Sequence, residues 1–158
     1  MKIIGIDPGL NNLGWAILEQ NKNGTISYIR SGRICPKTTD HITVRLANLQ
    51  TQISEIITQN TPDMAAIEEV FVNINPSSSM VLSFARGAIL ASLGLHNIRT
   101  LEFAPNTIKK TIVGNGKADK EQVMKMLKLV IPSVQFSSKD EADAIAIAYT
   151  GLVSYRPY

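Results

Sequence analysis

The chain has 158 residues, 44% hydrophobic and 18% charged, with a net charge of +3 and a single cysteine. This is the composition of an ordinary globular protein, long enough to bury one core in one domain spanning 1–158. No run reaches the ~18 uninterrupted apolar residues needed to cross a bilayer, and Cys35 cannot close an internal disulfide, so a cytoplasmic protein with no membrane contact is expected.

Taken in order, Met1-Lys2-Ile3-Ile4-Gly5-Ile6-Asp7 enters an apolar run at once, without a signal-peptide pattern, and Lys2–Ile6 predicts a buried strand. Leu13–Glu19 and Thr25–Ile34 predict two more strands, joined at Asn21-Lys22-Asn23-Gly24, where Asn and Gly tolerate positive φ. These three form an antiparallel meander. From Thr43 the apolar residues Leu46, Leu49, Ile53, Ile56 and Ile57 recur at helical spacing until Thr61-Pro62 stops them. Met64–Val70 predicts a buried strand, Ser77–Leu93 a helix ended by Gly94, and Arg99–Phe103 a further core strand. Pro105 starts the next helix and Gly114-Asn115-Gly116 breaks it. Asp119 with Gln122, and Ser138 with Glu141, have the spacing of capping boxes. They open two last helices, the first ended by Pro132 and the second running to about Val153. Antiparallel strands followed by strand–helix alternation give an α/β fold, a mixed sheet with helices on both faces.

Four carboxylates stand out by placement: Asp7 at the end of one apolar strand, Glu68 inside another, and Asp140 with Asp143 at the start of the last helix. Singly, each has a plain structural reading. Asp7-Pro8-Gly9 is good turn chemistry, Glu68 and Glu69 are solvated if their strand stops at Ile67, and acids in a first turn complement the helix dipole. Two observations work against those readings. Adjacent glutamates on a strand point to opposite faces, so one of them needs an open cleft or a partner. The segment Ala142–Ala148 is apolar nearly all round, the mark of a buried helix. Together the four form an oxygen-only donor set, which suits Mg²⁺ or Mn²⁺ rather than zinc. The natural reaction of such a site is phosphodiester hydrolysis with two ions.

The positive charge is concentrated. Lys109, Lys110, Lys117, Lys120, Lys125 and Lys128, against Asp119 and Glu121, give a local excess of +4 and leave the rest of the chain at −1. This is the footprint of a polyanion binder, with a solvated helix face as the competing reading.

Five segments in a fixed order carry a resemblance: Gly5-Ile6-Asp7-Pro8-Gly9, Ala66-Ile67-Glu68-Glu69-Val70-Phe71, Ala85-Arg86-Gly87, Lys109–Gly116, and Asp140–Ala148. The chain resembles the RuvC family of crossover-junction endodeoxyribonucleases over essentially its whole length. The resemblance implies a ribonuclease H-like fold with a mixed five-stranded sheet, and resolution of four-way (Holliday) DNA junctions by metal-dependent hydrolysis, making paired symmetric nicks. It implies that Asp7, Glu68, Asp140 and Asp143 are the catalytic acids and metal ligands, with Mg²⁺ as cofactor, Mn²⁺ able to substitute, and two ions per active site. It places Phe71, Arg86, Lys109, Lys110, Lys117 and Lys120 on the DNA. It further implies a homodimer, matched to a two-fold junction, and the RuvA–RuvB branch-migration complex as partner. Met80, Leu82, Phe84 and Ile89 mark Ser77–Leu93 as the candidate dimer helix.

Against the family pattern, Glu69 stands in place of Gln, Ile74 and Val81 occupy positions expected to be basic, and the chain stops soon after its last helix. Fewer lysines on phosphate predict a shallower salt dependence of DNA binding. Three alternatives remain at this point. The phosphate-loop ATPases share Asp7-Pro8-Gly9 but need a second copy of the motif. Nucleases that process ribosomal RNA precursors share only the first motif, and a non-catalytic junction binder would gain nothing from keeping four acids beside phosphate.

Overall fold

A computed structural model describes residues 1–70 and 76–155. Its elements are β1 (Lys2–Asp7), β2 (Leu13–Gln20), β3 (Ile26–Ile34), α1 (Ile42–Asn60), β4 (Met64–Glu68), α2 (Pro76–Leu95), β5 (Arg99–Phe103), α3 (Pro105–Val113), α4 (Lys120–Val130) and α5 (Lys139–Ser154). The strands form one sheet in the order β3-β2-β1-β4-β5. β3, β2 and β1 run antiparallel, while β1, β4 and β5 run parallel. The parallel part has the crossovers that its alternating sequence pattern requires.

Both faces of the sheet are covered, which is why β1 and β4 read as continuous apolar runs rather than alternating ones. Ile4, Ile6, Trp15, Ile17 and Ile67 face a layer built from α1 and α2, through Leu49, Ile53, Ile57, Ala85 and Ile89. Ile3, Ala16, Leu18 and Ala66 face the other layer, where α5 brings Ala144, Ile145 and Ala148.

Helix α5 lies unusually close to the sheet. A Cβ on Gly5 would fall 2.3 Å from the carbonyl oxygen of Ala144, and one on Gly14 would fall 2.0 Å from that of Asp140. These two glycines are what bring the helix backbone down onto β1 and β2.

Sequence-predicted boundaries hold within a residue or two, and two ends and one cap differ for physical reasons. β4 ends at Glu68, not Val70. Its partner β5 ends at Phe103, whose carbonyl takes one more bond from the Glu69 N–H (2.9 Å) before the chain turns into α3. α2 runs past Gly94 to Leu95. Asn97, at φ 54, supplies the left-handed turn expected of that glycine, and the Ile98 N–H returns to the Leu93 carbonyl. At α5, Ser138 caps the Glu141 N–H as expected, but the Glu141 carboxylate is taken up by the hydroxyls of Ser31, Ser137 and Ser138. The full reciprocal box forms at α4, between Asp119 and Gln122.

Candidate nuclease site

Strand register assembles the acids. Asp7 pairs with Gly14 across β1–β2, and Gly14 pairs with Arg33 across β2–β3. On the other side Glu68 pairs with Phe103, and Asp7 and Glu68 lie one step beyond the paired Ile6 and Ile67. Directly opposed residues project to the same face, so Arg33, Gly14, Asp7 and Glu68 form one row beneath the first turns of α5. Gly14 has no side chain, and the Asp140 carbonyl occupies that space. Asp140 is thereby set beside Asp7. Glu69, one residue on, points to the opposite face.

Asp7, Glu68 and Asp143 line one cleft together with Lys109 and Lys120. Asp7 and Asp140 line a more open one with the turn that follows β1 and with Val81 and Leu82 of α2. Val81 thus stands at the cleft where the resemblance predicted a basic residue. Arg45 of α1 steadies the turn by donating to the Leu10 carbonyl (3.2 Å) and to the Asn11 side-chain oxygen.

The charge balance is uneven. The Lys120 ammonium donates to Asp143 Oδ2 at 2.6 Å, and the Arg33 guanidinium lies 3.7 Å from Asp140 Oδ2. Neither the Asp7 nor the Glu68 carboxylate has an ion pair or hydrogen bond among the described residues. Burial first, then the charges of Asp143, Glu68 and Asp140, push Asp7 up from 3.8 to about 8, against the opposing pull of Lys120. Burial, then Asp143, likewise raises Glu68, with Lys120 and Lys109 opposing. The hydrogen bond to Asp143 raises Lys120, so it stays charged.

As they stand, no three acids among the described residues close around a cation. Lys120 and Arg33 each hold one carboxylate. The donor set nevertheless fits a hard divalent cation: its donors are carboxylate oxygens, and two of its members are half-buried with no bonded partner among the described residues.

The remaining predicted DNA contacts separate into groups. Lys109 and Lys120 are at the cleft. Lys110, in the last turn of α3, and Lys117, in the loop before α4, are exposed nearby. Arg86 is committed elsewhere, in an ion pair with Glu102 of β5, and it lines neither of the two clefts. Phe71 and Ile74 lie outside the described residues. On α2, Met80 is 57% exposed and Phe84 46%, whereas Ile89 is fully buried and belongs to the core rather than to a dimer face.

Sequence reasoning missed Arg33, Arg45 and Ser31. Arg33 had no usable signal: extending the β2–β3 register from its turn sets Gly32 opposite Gly14, and only a bulge beside Ile17 and Leu18 brings Arg33 there.

A five-stranded mixed sheet in this strand order, with helices on both faces, defines a ribonuclease H-like fold, and the acids at the ends of β1 and β4 mark its candidate site. Solved structures share it: Thermus thermophilus RuvC superposes with a TM-score of 0.86 at 24% identity, over 95% of this chain and 92% of that one. T. thermophilus RuvC in complex with Holliday junction substrate gives 0.87 at 23% identity with the same coverage. The family model described as "Crossover junction endodeoxyribonuclease RuvC" matches residues 3–151. RuvC proteins from Rickettsia massiliae and Rickettsia typhi are 45% and 44% identical to the chain over 98% of both lengths. The chain belongs to the RuvC family of crossover junction endodeoxyribonucleases.

Proposed function

We propose that the chain resolves four-way DNA junctions by nicking two like strands, with Asp7, Glu68, Asp140 and Asp143 holding the divalent cations that hydrolysis requires. The carrying observation is the single row Arg33–Gly14–Asp7–Glu68 under the acid-bearing turns of α5. It collects four acids from three separate elements at the carboxyl ends of parallel strands, where ligands of open α/β sheets bind.

Mg²⁺ is the proposed ion, with Mn²⁺ able to replace it and two per site; when bound, they supply an activated water and stabilisation of the leaving oxygen. The protein's own part is positional and electrostatic. Asp7 and Glu68 bring carboxylates to the carboxyl ends of the central strands, and Asp140 and Asp143 bring them from the helix. Lys109 and Lys120 line the same cleft and neutralise the phosphate that approaches these acids. Lys120 is held beside the reacting centre by Asp143. Lys110 and Lys117 extend the positive surface along the backbone of the bound strand. Phe71 is proposed to stack on unpaired bases. Arg86 contributes through the α2–β5 contact it makes with Glu102.

The exposed Met80 and Phe84 on α2 support a two-fold dimer built on that helix. The segment Ser78–Leu95 is apolar yet mostly outside the core, and a second copy would cover its Met80 and Phe84 side. Family membership supports RuvA–RuvB as the partner machinery and the cytoplasm as the location.

The test is an end-labelled four-way junction incubated with protein and Mg²⁺, with the protein's mass in solution measured in parallel. Paired symmetric nicks that ligase can seal, and a mass twice that of one chain, are expected. An intact junction would overturn the proposal.

A further inference from the structure

We propose that Glu141 is a positioning residue of the nuclease site: through Ser31 of β3 it fixes where α5 presents Asp140 and Asp143 to Asp7. The inference rests on the reading of that cleft as the nuclease site.

Glu141 lies between the two helix acids in sequence but on another side of the helix, since successive residues are about 100° apart around an α-helix. It is only 7% exposed. Both its oxygens are used. Oε2 accepts from the Ser31 hydroxyl at 2.7 Å, while Oε1 accepts from Ser137 at 2.6 Å and from Ser138 at 3.2 Å. The Ser31 hydroxyl has one proton, and its closer acceptor is this carboxylate rather than the Gln135 carbonyl at 3.4 Å. The Tyr28 hydroxyl, 3.0 Å away, then donates to Ser31, completing a relay from Tyr28 through Ser31 to Glu141.

Helix capping does not account for this arrangement. Ser138 caps the Glu141 N–H by itself, at 3.2 Å. Nothing in a cap requires the carboxylate to be buried and to cross to an edge strand, and a buried carboxylate is costly unless fully hydrogen-bonded.

The surface under α5 supplies the reason. Ser31 pairs with Ala16, and Ala16 pairs with Gly5. Beside that row lie Gly14 and Asp7. The bed under the first turns of the helix is thus made of Gly and Ala, while the larger Ile3 and Leu18 of the same face meet α5 further along, toward Gly151. Ser31 is the group in its row that can bond to the helix, and Glu141 is the helix group that meets it. Both acids to be placed lie within two residues of that contact. A cation site tolerates only about 0.5 Å of displacement in its donors, so this contact, alongside the Arg33–Asp140 pair, bears on the geometry of half the site.

The experiment compares Glu141→Gln and Ser31→Ala with Ile57→Val, a substitution in the opposite core layer that serves as a stability control. For each, Tm, junction-cleavage kcat and KM, and Mn²⁺ affinity by paramagnetic resonance are measured. Both positioning variants should lose kcat by about ten-fold or more, as removal of supporting groups at metal sites does. Junction KM should stay near wild type, and Mn²⁺ affinity should fall in parallel. Ile57→Val should lower Tm and leave the other readings alone. Glu141→Gln and Ser31→Ala proteins that lose only Tm would overturn the proposal. If Glu141→Gln fails to fold, Ser31→Ala decides. If wild-type protein leaves junctions intact, the nuclease reading falls, and the Mn²⁺ measurement still judges Glu141.

Discussion

Asp7 ordinarily titrates near 3.8, and burial followed by the charges of Asp143, Glu68 and Asp140 moves it to about 8. Because the folded-state value lies above the unfolded one, the folded chain holds this proton more tightly. The stability that the proton contributes is fully present below about pH 4 and is lost as pH rises through about 8. Glu68 is raised too and acts in the same direction. Glu141 runs the other way. Burial would raise it, but hydrogen bonds from Ser137, Ser31 and Ser138 outweigh that and hold it below 4.5, so its contribution is lost only in acid. The metal-free protein should therefore lose Tm between pH 5 and pH 8.5, and Asp7→Asn should flatten that slope. Added Mg²⁺ should stabilise the wild type more at pH 8 than at pH 5, where protons hold the site. Thermal melts with chelator and with Mg²⁺ check this, and an unchanged slope in Asp7→Asn would contradict it.

Among the elements, α5 depends most on small residues beneath it. Gly5→Ala would put a methyl group 2.3 Å from the Ala144 carbonyl and 2.6 Å from the Ala148 nitrogen, both backbone atoms of the helix. Overpacking of this kind costs about 1–3 kcal/mol and sometimes more, or roughly 2–4 °C of Tm per kcal/mol in a chain of this size. A melt several degrees lower, with weakened Mg²⁺ stabilisation because Asp143 moves with the helix, is the expected result. A Gly5→Ala protein as stable as wild type would show that the helix does not bear on that strand. The elements themselves were largely legible in the sequence because their signals are local. Pro105 at a helix start, Gly114 at φ 81 and the Asp119–Gln122 box act within a turn of where they stand. What was not legible depends on partners far along the chain. β4 stops at Glu68 because β5 stops, and the Glu141 carboxylate leaves its expected cap because Ser31, 110 residues away, is its neighbour in space. The four acids could be suspected from burial patterns and from the resemblance. Arg33 beside Asp140 needed the register of two strand pairs, and the burial of Arg86 against Glu102 needed the packing of α2 on β5.

Seen as a whole, the molecule separates its chemistry by position. Four acids gather at the carboxyl ends of the central strands, the basic residues 109–128 border them through α3 and α4, and α2 turns an apolar face outward on the opposite layer. That layout is what the proposed two-fold assembly would use, with the acids assigned to cleavage and the lysines to holding the backbone. Binding and cleavage should therefore be separable, because the phosphate backbone is held mainly by cations while hydrolysis needs the whole acid set. The most direct measurement follows a labelled four-way junction with wild-type and Asp7→Asn protein side by side, recording binding in chelator and nicking in Mg²⁺. The account predicts that Asp7→Asn binds the junction at least as tightly as wild type and makes no nicks. Loss of binding together with nicking, or nicking that survives without Asp7, would contradict it.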